Sequence, residues 1–70
     1  MDVDEYSYLW KEEKNDYVLF NTGLGYAIIN RKERNMLLVC DDELHEKLVK
    51  KMLENENAIY EDIDKVFMDM

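Results

Sequence analysis

YVLFNTGLGYAIIN, Tyr17 to Asn30, holds both glycines of the chain between two short apolar runs. A phosphate-cradling loop needs its glycines to run straight into a helix N-terminus, usually with a lysine within reach of the phosphates. Here Gly25 is followed by the apolar run Tyr26-Ala27-Ile28-Ile29, and the first lysine after it is Lys32. The glycines therefore read as a hairpin turn using positive φ, and the runs Tyr17–Phe20 and Tyr26–Ile29 as the strands it joins.

Working outward, Tyr6, Tyr8 and Trp10 recur at period two, which predicts a strand over residues 6–10. The polar run 11–16 ends in Asn15-Asp16, a turn signal. Three strands joined by two short loops make a three-stranded antiparallel meander. Asn30 with Glu33 three positions on has the form of a capping box, and Met36, Leu37 and Cys40 follow at helical spacing, so a short helix is expected over 31–40. Asp41-Asp42-Glu43 opens a second helix over 43–55.

On a wheel at about 100° per residue, Leu44, Leu48, Val49, Met52 and Leu53 of that helix cover roughly half the circumference. A single contact surface needs only about 100°. Either a partner covers the surplus, or a small domain wraps more of itself around the helix. Asn55-Glu56-Asn57 stops it, with Asn expected in the left-handed position. Ala58-Ile59-Tyr60 reads as extended. Ile63, Val66, Phe67 and Met70 form a short amphipathic tail that docks on the body or on another chain. The sum is an α+β domain, a meander followed by two to three short helices, in one domain spanning 1–70.

Composition narrows the function. The 70 residues carry nine Lys plus Arg against 17 Asp plus Glu, a net charge of −8. That field repels nucleic-acid backbones, so no nucleic-acid partner is expected. No apolar run approaches the roughly 20 residues of a membrane span, and the acidic start Met1-Asp2-Val3-Asp4-Glu5 is unlike a signal peptide. One cysteine, Cys40, and one histidine, His45, make no closed zinc site and no internal disulfide. A cytoplasmic protein without metal or cofactor is expected.

Catalytic signals are weak. The acids around Cys40 oppose a thiolate, so Cys40 and His45 read as a half-buried thiol and a surface imidazole. The carboxylates lack an EF-hand pattern, and Asp2, Asp4, Asp62 and Asp64 read as solvated surface. The chain is not expected to be an enzyme. A binding surface made of backbone remains. Tyr26-Ala27-Ile28-Ile29 contains neither Pro nor Lys, the residues that blunt a sheet edge. As an edge it would take an extended peptide by strand addition, with the apolar helix as floor. As a central strand its isoleucines would simply be core.

The residues Tyr17, Leu19, Asn21, Gly25, Ile29 and Asn30, then Leu48 and Leu53, then Ile59, Tyr60, Asp62 and Asp64, follow a pattern that resembles the PqqD-like RiPP recognition elements. These are the peptide-recognition domains of ribosomal-peptide maturation systems, found also at the N-termini of radical SAM/SPASM maturases. The likeness covers residues 6–67. It departs from the family at Glu56-Asn57, where a Gly is usual. With the chain ending near Met70, where radical SAM relatives continue into a catalytic barrel, it implies a stand-alone or excised module.

The resemblance implies a small winged-helix-like domain that captures the leader of a precursor peptide along its third strand and presents it to a modifying enzyme of the radical SAM class. By position, Tyr26, Ala27, Ile28 and Ile29 would supply the edge. From the helical wheel, Leu44 and Leu48, with Lys47 or Lys51, would wall the groove, the lysines meeting acidic leader side chains. Two other readings stand beside it. One is a small acidic inhibitor or DNA mimic acting on a nuclease or another nucleic-acid-binding protein. The other is a structural subunit forming a homodimer through the 63–70 tail.

Overall fold

The computed structural model describes residues 3–11, 13 and 16–68. A 3₁₀ turn over Val3–Tyr6 leads into the short helix α1 (Tyr8–Lys11). Strands β1 (Tyr17–Asn21), β2 (Tyr26–Asn30) and β3 (Asn35–Leu37) follow, then the main helix α2 (Asp42–Glu54), strand β4 (Ile59–Tyr60) and the single-turn helix α3 (Ile63–Val66). The sheet is four-stranded and mixed, in the order β3-β2-β1-β4, with β4 parallel to β1 and the other pairings antiparallel. The α+β class holds; the three-stranded antiparallel meander does not.

Side chains alternate across the strands, so each face carries its own apolar set. Leu19 and Ile28 point to one face and pack with Leu9 from α1 and with Leu44, Leu48, Val49 and Met52 from α2. Val18 and Ile29 point to the other, where α3 lays Val66 on them with Phe20, Ala58, Tyr60 and Phe67 alongside. Burying such a side chain contributes about 1.5–3 kcal/mol. Both faces are covered, so the central strands are apolar on both sides.

The caps of α2 explain its length. Asp41 has extended backbone and its carboxylate accepts from the Leu44 N–H at 3.1 Å, satisfying one orphan donor at the start. At the far end Asn57 N–H donates to Met52 O and Glu56 N–H to Leu53 O, both at 3.0 Å. That pair of bonds is a Schellman motif. Its left-handed residue is Glu56 (φ 63), neither of the asparagines expected there.

Two further expectations are overturned. Residues 6–10 are not a strand: Trp10 and Lys11 N–H both donate to Ser7 O, a helical turn. A strand would send Leu9 to the side opposite Tyr6 and Trp10, whereas the turn lets Leu9 bury fully while both aromatics flank the same cluster. Tyr8 meets Tyr17 edge to face at 5.6 Å, tying α1 to the start of β1. Nor are residues 31–40 a helix. The Asn30 side chain does accept from Glu33 N–H at 3.0 Å, but Arg34 then takes φ 57 and reverses the chain into β3. The apolar run 36–39 alternates, Leu37 and Val39 half-buried and Met36 and Leu38 exposed, which is the period of a strand.

Candidate functional site

The sheet edges decide where a strand could be added. Thr22 N–H donates to Gly25 O and Arg31 N–H to Asp16 O, both at 2.8 Å. In an antiparallel pair, bonded and non-bonded positions alternate. That alternation points Ala27 and Ile29 at β1, and turns the backbone groups of Tyr26, Ile28 and Asn30 toward β3. By the register Ile28↔Leu37 and Asn30↔Asn35, Leu37 and Asn35 face inward and the N–H and C=O of Met36 face away from β2.

Tyr26 to Ile29 is therefore not an edge. β1 pairs with the whole of β2, and β3 covers Ile28 to Asn30 on the other side. β3 stops before it reaches Tyr26, and there His45 takes its place: Nε2 of the imidazole bonds to Tyr26 O. A carbonyl only accepts, so Nε2 carries the proton. The position of β2 in the middle of the sheet follows from the chain turning back at Arg34.

Of the eight residues expected to bind a peptide, Ala27, Ile28, Ile29, Leu44 and Leu48 are buried. Tyr26 is half-buried and stands at the rim of a groove. Lys47 and Lys51 are exposed, but they flank a depression with Val3 and Asp4, on the side of α2 that meets the N-terminal turn. The structure thus separates the lysines from Tyr26.

Two surfaces missed in the sequence replace that set. The first is the outer edge of β3, where Met36 is 46% and Leu38 70% exposed. The second is an apolar groove of about 560 Å³ between Tyr26 and the flank of α2, lined by His45, Val49 and Leu53 and rimmed by Glu46, Lys50 and Glu54. Leu53, 42% exposed, is the part of the wide apolar arc that the chain itself leaves uncovered. The arc was legible in the sequence; its uncovered portion depended on which side of α2 the N-terminal segment packs.

The hairpin tip stands beside this groove. Thr22 Oγ1 donates to Gly25 O at 2.9 Å, Gly23 N–H to Asn21 Oδ1 at 2.9 Å, and Leu24 N–H to Thr22 Oγ1 at 3.2 Å. Gly23 takes φ 88, a left-handed value that a side chain would strain. Leu24 projects at the apex, wholly exposed.

Among the described residues no cluster of three or more His, Cys, Asp or Glu is arranged to hold a metal, and no helix is long and apolar enough to cross a membrane. Cys40 is exposed. On the α3 face Arg31 is 6% exposed, and among the described residues neither its Nε nor its Nη2 has a hydrogen-bond partner. Its guanidinium lies 5.7 Å from the centre of the Tyr60 ring. No protein-family model, curated protein or solved structure matches the chain.

Proposed function

We propose that this chain is a non-catalytic module that captures the leader segment of a ribosomally made precursor peptide as an added strand on β3, and presents it to a modifying enzyme. The observation that carries this reading is the outer edge of β3. Asn35-Met36-Leu37 contains no Pro or Lys, and the backbone of Met36 faces outward with apolar side chains on either hand. Strand addition takes affinity from such backbone groups and selectivity from alternate side chains.

The resemblance to PqqD-like elements puts the leader along Tyr26 to Ile29, in the interior strand β2; we move it one strand outward, to β3 at the open end of the sheet. Adjacent Leu37 and Val39 lean on the α2 core, so a peptide beside them would have an apolar floor. Delivery then works by effective concentration, holding a precursor near an enzyme of the radical SAM class.

The test uses synthetic peptides spanning each short reading frame beside the gene, titrated into ¹⁵N-labelled protein. The expected result is saturable binding of one of them, with amide shifts centred on Asn35–Leu38. Met36→Pro removes the outward N–H and leaves the bonds to β2 in place, so it should abolish binding while the spectrum stays folded. Shifts centred elsewhere, equal affinity for the proline variant, or no binding by any of these peptides would overturn the proposal.

A further inference from the structure

We propose that the hairpin tip and the α2 groove together form a homodimer contact, in which Leu24 of each copy seats in the groove of the other. The β3 edge takes no part in it, so this inference stands apart from peptide capture.

The two halves of the contact lie side by side. Tyr26, at the groove rim, is two residues from Leu24, and Gly25 between them lies against His45, where an added Cβ would come within 3.8 Å of the ring carbon Cε1. A two-fold axis passing between an exposed knob and an adjacent socket sends each knob into the other copy's socket, and closes with two protomers. A knob and a socket on distant faces would instead build a ring or an open chain.

Chemistry and order agree with that geometry. The socket is apolar, formed by Tyr26, Val49 and Leu53, and matches an aliphatic side chain. Its rim carries both signs of charge, Glu46 and Glu54 with Lys50, so two copies can pair rim to rim where a rim of one sign would repel itself. The tip is held by its own side-chain bonds, so little freedom remains to be lost on docking. The charge of −8 on each copy opposes the approach, which makes the contact salt-dependent.

Analytical ultracentrifugation of the full chain across roughly 5–500 µM tests this, since a dimer is populated by mass action. The expected result is a monomer–dimer equilibrium that tightens as salt rises from ~20 to ~300 mM. Leu24→Ser should weaken it roughly a hundredfold, because symmetry removes two apolar side chains at once. Leu24 is wholly exposed, so the melting temperature at low concentration should not move. Leu53→Ser should weaken the dimer from the groove side, and Met36→Pro should leave it intact. A monomer at every concentration, a dimer that survives Leu24→Ser, or one lost with Met36→Pro would overturn the inference.

Discussion

The imidazole of His45, in the first turn of α2, donates its Nε2 proton to the backbone carbonyl of Tyr26, 19 positions earlier. The bond completes the side of β2 that β3 leaves open and pins the start of the main helix to the sheet. His45→Ala should cost about 1 kcal/mol, the net worth of one such bond. Urea denaturation should show a lower midpoint with an unchanged slope.

Arg31 should behave as a buried charge that the fold tolerates and does not need. Its guanidinium has the Tyr60 ring beside it, while Nε and Nη2 are without a hydrogen-bond partner among the described residues. Desolvating such a group costs several kcal/mol, against the ~0.5–2 kcal/mol that a cation–π contact returns. Arg31→Met keeps the apolar stem and should raise stability by about 1 kcal/mol or more, whereas Arg31→Ala should lower it through lost packing. The order Met above Arg above Ala in thermal midpoints is the outcome to look for.

Glu56 holds the left-handed position of the Schellman motif, where glycine has no Cβ to strain. Comparing Glu56→Gly with Glu56→Ala removes the side chain in both and isolates the backbone. The glycine variant should be more stable than the alanine variant by about 1 kcal/mol. Equal midpoints would show that the motif carries no strain at this position.

Asn57 should be the most sensitive polar residue. It is buried, its Nδ2 donates to Tyr17 O at 2.9 Å, and its Oδ1 accepts from Asn55 Nδ2 at 3.2 Å. Asn57→Ala removes the amide that joins the exit of α2 to the start of β1, with an expected loss of about 1–3 kcal/mol. Hydrogen exchange should quicken at Leu19, whose N–H donates to Ala58 O next along the same edge.

The legible parts of the sequence were those where one period had no rival. The hairpin around Gly23, the extent and apolar stripe of α2, and the extended segment at Ile59-Tyr60 all form where the residue pattern puts them, although the left-handed position after α2 falls to Glu56 and not to an asparagine. Residues 6–10 misled because aromatics at period two also satisfy one helical turn, and the burial of Leu9 decided between them. Residues 31–40 misled because Asn30 does cap a turn, yet Arg34 reverses the chain after it. That reversal alone moved the open edge from β2 to β3, since an edge belongs to the order of strands and not to any one of them. The groove was half legible, as an apolar arc too wide for one contact.

The parallel pairing of β4 with β1 sets a timetable for the nascent chain. Asn57 reaches Tyr17 across 40 positions, and Ala58 reaches Leu19. The β1–β2 hairpin leaves the ribosome early, but the flank of β1 waits until residues 57–60 emerge. For that interval it is a bare template on which a neighbouring nascent chain could stack. Truncation before Asn57 should therefore yield insoluble protein, while a chain stopped after β4 keeps that flank sealed.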